Sequence, residues 1–241
     1  MHNNDNARKT NDNVTFSQNV VAASDNGKFA IIEGYKIART NLMFSLAAKN
    51  NKFVAITSWE KGVGKSTVTS NLAISFAKAE KKVLLVDCDL RRPNLHNLLK
   101  VNNEVGFSQI LSRMASFQEA VHRDVLPCLD VVTSGSIPPN PSELLCSTVM
   151  ADLVKEWQDE YDYIIFDTPP IGIVADAMLL KDYVAGYVVV VRERVTTHGS
   201  IQRTIRNIKI AKSHVLGLVK VGCSPKRGGF SKSYYTYDRY Y

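Results

Sequence analysis

"WEKGVGKST", Trp59–Thr67, stands between two apolar runs, "KFVAITS" (Lys52–Ser58) and "KKVLLVDCD" (Lys81–Asp89). Both runs are β-rich, apolar at consecutive positions and end in polar residues, as strands buried on both faces of a parallel sheet do. The stretch "NLAISFAKAEK" between them has helical periodicity. A strand, a glycine-rich turn and a helix in that order form a phosphate site, because backbone N–H groups of the turn converge where the helix N-terminus adds its partial positive charge. Gly62, Val63, Gly64, Lys65, Ser66 and Thr67 are the expected cradle: Lys65 reaches the β- and γ-phosphates, and the Ser66 hydroxyl is placed to ligate Mg²⁺. Trp59 occupies the slot of the first glycine in G-x-x-x-x-G-K-[ST], so it is the strand-to-helix context that identifies a P-loop.

Outward from this unit the alternation continues. "LDVVTS" (129–134), "YDYIIFDT" (161–168), "YVVVVR" (187–192) and "VLGLVKVG" (215–222) read as further strands. Helices are expected near Pro141, over 175–182 and along the face marked by Ile201, Ile205 and Ile208, and Ile32, Tyr35, Ala38, Leu42 and Leu46 mark an amphipathic helix ahead of the sheet. The fold expected is α/β: a P-loop NTPase with a doubly wound, mostly parallel sheet and helices on both faces. Its ligand site lies outside the carboxyl ends of the strands. In "PPNPSELL", Asn140 as N-cap, Pro141 at the first helical position and Glu143 three residues after the cap resemble a capping box, a structural role.

Three aspartates end strands of this sheet. "LLVDCDLRRP" delivers Asp87 and Asp89 to one side of the chain, and "YIIFDTPP" delivers Asp167. One such residue alone can cap a turn. Three converging on a P-loop can bind Mg²⁺ and accept a proton from an attacking hydroxyl.

Composition sets the bounds. A chain of 241 residues, 45% hydrophobic and 22% charged, supports one sizeable domain with tails. The expected division is a disordered segment over 1–28, with three acidic and three basic side chains, a domain over 29–224 and a flexible tail over 225–241. The four cysteines are widely spaced and suggest reduced thiols of a cytosolic protein rather than a metal site. No apolar stretch approaches the ~20 residues that cross a bilayer, so a membrane role would come through a partner. The formal charge of +7 is scattered or lies in the tail, which argues against nucleic acid as the partner. That tail ends "YYTYDRYY", five of the ten tyrosines in eight residues: Tyr234, Tyr235, Tyr237, Tyr240 and Tyr241. From the residues alone it is an apolar end without a role, a docking segment, or a set of hydroxyls presented for modification.

The P-loop, the D-x-D-x-R of Asp87, Asp89 and Arg91, PPNPSELL, the apolar run ending in Asp167 and the terminal tyrosines, in this order, resemble the bacterial tyrosine kinases of capsular and exopolysaccharide synthesis, in their Gram-positive form as a separate cytoplasmic protein. The resemblance implies ATP- and Mg²⁺-dependent phosphorylation of tyrosine in protein substrates, beginning with the kinase's own tail, and a phosphotyrosine phosphatase that reverses it. It also implies recruitment to the inner face of the membrane and activation by a membrane-anchored modulator. In such kinases the residue matching Asp87 is the proposed base, while those matching Asp89 and Asp167 hold Mg²⁺. The family's E-x-x-R-x-x-R segment, associated with a ring-like homo-oligomer, appears as Glu33, Lys36 and Arg39, with Lys36 lacking arginine's planar fork. Val221 stands in the slot where relatives place an adenine-reading Asn. The competing reading is a partitioning or division-site switch ATPase. That class carries a lysine in the slot held here by Glu60, and it leaves the tyrosine tail unexplained.

Overall fold

The computed structural model describes residues 25–49 and 51–223. The five terminal tyrosines and most of the 1–28 segment lie outside the described residues. The chain runs α1 (Asp25–Leu46), β1 (Phe53–Thr57), α2 (Lys65–Ala77), β2 (Val83–Asp87), α3 (Leu95–Leu99), α4 (Phe107–Leu111), α5 (Phe117–Ala120), β3 (Val121–Leu126) and β4 (Leu129–Val132). It continues through α6 (Pro141–Leu145), α7 (Thr148–Glu160), β5 (Tyr163–Asp167), a 3₁₀ turn (Asp176–Leu180), β6 (Gly186–Arg192), α8 (His198–Ile210) and β7 (Val215–Val221). Among the described residues the strands form one sheet in the order β3-β4-β2-β5-β1-β6-β7, in which only β3 is antiparallel to its neighbour.

Period-two alternation divides the core between the two faces of this sheet. Phe53, Ala55, Leu84, Val86, Ile164 and Phe166 pack beneath α7, where Trp157 is fully buried. Val54, Ile56, Val83, Leu85, Tyr163 and Ile165 meet α2, α3 and α1 through Leu72, Phe76, Leu95, Leu42 and Leu46. Each large side chain so buried stabilises the fold by about 1.5–3 kcal/mol, which makes the sheet a rigid platform for the loops at its carboxyl ends.

Several expectations need correction. Ile32, placed on the inner face of α1, is 41% exposed; Leu42 and Leu46 carry the burial. The helix expected over 175–182 is a short 3₁₀ turn. No strand was expected at β3, whose exposed Arg123 and Asp124 conceal it, and its pairing with β4 shifts register between His122 and Leu126. At α6 the Asn140 side chain accepts no backbone hydrogen bond; its amide donates to Glu143 Oε2 at 2.7 Å, so no capping box forms.

Candidate active site

The carboxyl ends of β1, β2 and β5 are adjacent because β5 lies between the other two. The loop after β1 turns through Gly62 and Gly64 with φ of 74° and 93°, a left-handed conformation costly for residues with a Cβ. Gly64 is the N-cap of α2 and supplies no side-chain cap, so the N–H groups of the first turn remain available to an anion. Trp59 packs against Gly172 of the loop after β5, where a Cβ would collide with the Trp59 backbone and ring. Arg203 of α8 lies over that ring, 5.7 Å from its centroid. The missing first glycine is therefore replaced by an aromatic brace between two loops.

Lys65 is 7% exposed and its Nζ donates to Asp167 Oδ1 at 2.8 Å, while the Thr69 hydroxyl donates to the same oxygen at 2.9 Å. Asp167 Oδ2 is buried without a hydrogen-bond partner among the described residues. Asp87 stands beside Asp167 in the β2–β5 register and is wholly buried. Its Oδ1 accepts from the Asp89 N–H at 3.1 Å, and its Oδ2 from the N–H groups of Asn94 and Leu95 at 3.3 and 3.2 Å. Burial, with the Asp167 charge adding to it, pushes the Asp87 carboxyl up to about 7. Burial likewise raises Asp89, whose Oδ1 accepts from the Arg92 N–H at 3.0 Å.

Two cavities flank the P-loop and share Gly64 and Thr67. One, of about 750 Å³, is lined by Lys61, Lys65, Ser66, Asp89, Arg91 and Pro170, among others. The other, of about 700 Å³, lies between α1, the start of α2 and the end of β7, with Tyr35, Asn71, Arg192 and Val221 in its wall. The predicted cluster of Lys65, Ser66, Asp87, Asp89 and Asp167 thus assembles, but unevenly: Asp89 reaches the first cavity while Asp87 and Asp167 lie behind it. In α1, Lys36 pairs with Glu33 at 2.7 Å, and Arg39 Nη1 donates to the Ser75 carbonyl at 2.6 Å within the same chain. Thr69, Ser142 and Asp176 join the site region without having been singled out for it. Asp176 carried no signal beyond being one more acidic residue after an apolar run.

Residues 51–217 match the family model described as an AAA domain. The chain is 40% identical over 216 residues to the tyrosine-protein kinase YwqD of Bacillus subtilis, covering 90% of itself and 91% of that protein. It spans only 28% of the putative tyrosine-protein kinase EpsB of Ralstonia solanacearum, at 36% identity over 87% of its own length. Among solved structures it is similar to the kinase domain of the Escherichia coli tyrosine kinase ETK, with a TM-score of 0.76 and 32% identity over 82% of this chain and 79% of that one. The chimerical protein CapA2B2 gives a TM-score of 0.77 at 34% identity, over 83% and 88% of the respective chains. The septum site-determining protein MinD of Pyrococcus horikoshii, a complex with Mg-ADP, gives 0.61 at 22% identity over 76% of each chain, a likeness of fold alone.

Proposed function

The chain belongs to the bacterial tyrosine-protein kinases, and from that membership we propose that it transfers the terminal phosphoryl group of ATP to tyrosine hydroxyls, first those of its own C-terminal cluster. The observation that carries this reading is the cavity bounded by both Lys65 and Asp89 at an uncapped helix N-terminus. The orphaned Asp167 Oδ2 and the Ser66 hydroxyl beside Lys65 suit a divalent cation. Bound Mg-ATP supplies the phosphoryl group and a metal charge that offsets the cluster of carboxylates. The P-loop N–H groups from Gly62 to Thr67 hold the phosphates, and Lys65 leaves Asp167 to neutralise charge developing on the transferring group. The tyrosine oxygen forms its bond to phosphorus as the bond to the ADP oxygen breaks, and the hydroxyl proton passes to a carboxylate. The adenine ring of ATP occupies the second cavity, against Tyr35 and Val221.

Asp87 is the proposed base because its acidity is tuned close to the working pH. One observation favours a second reading, with Asp89 as base: Asp89 lines the cavity and Asp87 does not. Asp87→Asn tests the choice. With Asp87 as base, transfer falls by a factor on the order of 10² to 10⁴ while nucleotide affinity holds; with Asp89 as base, that loss belongs to Asp89→Asn.

The wider reading includes a ring-like homo-oligomer, a membrane-anchored modulator, recruitment through it to the inner membrane face and a phosphotyrosine phosphatase. Exposed Phe29, Ile31, Ile32, Ile37 and Phe44 on α1 support assembly through that helix. Among the described residues no helix is long and apolar enough to cross a membrane. The test of transfer between molecules mixes a Lys65→Met chain having its tail with an active chain whose five terminal tyrosines are Phe. Label on the inactive partner is expected. Its absence, while wild type labels itself, would reject transfer between molecules.

A further inference from the structure

Arg91 forms part of the wall of the Lys65–Asp89 cavity and is held from behind. Its Nε donates to Asp176 Oδ2 at 2.6 Å, and its Nη2 donates to Asp176 Oδ1 at 3.2 Å and to Ser142 Oγ at 3.0 Å. The Ser142 hydroxyl in turn donates to Asp176 Oδ1 at 2.9 Å. Arg91 comes from the loop after β2, Ser142 from α6 after β4 and Asp176 from the 3₁₀ turn after β5, and they meet because those strands are neighbours in the sheet. The Asp176 side chain is 3% exposed, whereas that of Arg91 is 41% exposed. Burying a carboxylate is costly unless its oxygens are satisfied, and here three donors satisfy them.

The bonds to Asp176 and Ser142 commit Nε and Nη2, while Nη1 makes no hydrogen bond among the described residues. A guanidinium gripped on one edge is a planar donor of fixed orientation, which lysine cannot reproduce. Because the two cavities meet at Gly64 and Thr67, a nucleotide with its base against Tyr35 and Val221 runs its phosphates toward Asp89 and Arg91. In that orientation it is the phosphate chain that enters the cavity lined by Lys65, Asp89 and Arg91.

We infer that Asp176 and Ser142 are positioning residues that orient Arg91 to donate to the terminal phosphoryl group of a bound nucleoside triphosphate. PPNPSELL then contributes through its serine to the phosphate site as well as to a helix start. The inference rests on the nucleotide-binding part of the proposed function and is independent of the acceptor being tyrosine.

Calorimetry on the purified full chain with Mg²⁺, comparing ADP with β,γ-imido-ATP, reads it directly. Asp176→Asn is expected to weaken the triphosphate analogue by about tenfold or more, the scale of one charge-assisted hydrogen bond, and to leave ADP within about twofold. Arg91→Lys should match it, and Ser142→Ala should show a smaller loss of the same selectivity. Combining Arg91→Lys with Asp176→Asn should cost little more than either alone, since one residue acts through the other. Equal weakening of both nucleotides, additive losses or unchanged selectivity would each overturn the inference. If Asp176→Asn fails to fold, Ser142→Ala and Arg91→Lys carry the same test. Phosphate on tyrosine plays no part in this readout, so a chain that binds as expected and labels no tyrosine would reject the kinase reading and leave the clamp intact.

Discussion

At the amino ends of β4 and β5, Asp130 has both oxygens engaged: Oδ2 accepts from Arg123 Nη1 at 2.8 Å and the Tyr161 hydroxyl at 2.7 Å, and Oδ1 from the Asp124 N–H at 2.8 Å. At the carboxyl ends of β2 and β5, Asp87 and Asp167 sit side by side; among the described residues Lys65 is the one cation bonded to either, and Asp167 Oδ2 has no partner. The first cluster closes an edge of the sheet, where Arg123 also lies over the Phe117 ring. The second holds buried charge that the fold leaves incompletely satisfied, as a site awaiting a cation and a polyanion would. One end of these strands thus carries a satisfied ion cluster and the other an incompletely satisfied one.

The sharpest way to break this contrast is to remove one cation from each end. Lys65→Met is expected to lower phosphotransfer per folded molecule by a factor on the order of 10² or more, and also to lower the thermal midpoint, because it leaves the Asp167 carboxylate buried without its cation. Arg123→Ala is expected to cost about 1–2 kcal/mol after allowance for a partly exposed guanidinium, a fall of roughly 2–8 °C for a domain of this size. Its rate per folded molecule should stay unchanged. Paired calorimetric scans and transfer assays check both, and an inactive Arg123→Ala chain with a normal midpoint would contradict the division.

The pH dependence gives a smaller effect with a definite sign. With its carboxyl pushed up to about 7 by burial and the Asp167 charge, Asp87 is useless as a base while protonated, so kcat/KM is expected to rise with pH through about 7. Asp167→Asn removes a like charge from beside it and should move the Asp87 titration to lower pH, which carbon-detected NMR can follow even in an inactive chain. The same raised value favours the protonated carboxyl in the folded state. Its contribution to stability is fully present below the unfolded value near 3.8 and is lost as pH rises through about 7. An Asp87 titration near 4 would remove the argument for Asp87 as base. The smallest expected change is at the second cavity: Val221→Asn should strengthen ATP binding by about 1 kcal/mol, roughly fivefold, if the base lies against β7, and nucleotide titration measures it.

What could be read ahead of the structure follows from how locally each feature is encoded. Five core strands announce themselves as contiguous apolar runs because both faces of a parallel sheet are covered, and Asp87, Asp89 and Asp167 stand out because they end such runs. The edge strand β3 was hidden: its Arg123 and Asp124 face solvent, Asp124 has a φ of 49°, and no alternation survives that irregularity. The Arg91–Ser142–Asp176 contact was hidden for a different reason. Its members lie 51 and 34 residues apart along the chain and meet only through the strand order β4-β2-β5. PPNPSELL looked like a helix start, and so it is, but Asn140 bonds a side chain while Ser142 reaches across to Arg91 in the cavity wall. The burial of Asp87 behind Asp89 was likewise beyond alternation, which gives the side of a strand but not the depth.

The under-satisfied end of the sheet is expected to transfer phosphate to tyrosine rather than only hydrolyse ATP. Mass spectrometry of the purified chain after incubation with Mg-ATP measures this most directly. Phosphate is expected on peptides spanning Tyr234, Tyr235, Tyr237, Tyr240 and Tyr241 in wild type and to be absent from Lys65→Met. ADP accumulating with no phosphotyrosine, in the presence and absence of a membrane partner's cytoplasmic segment, would contradict the account and favour the switch ATPase.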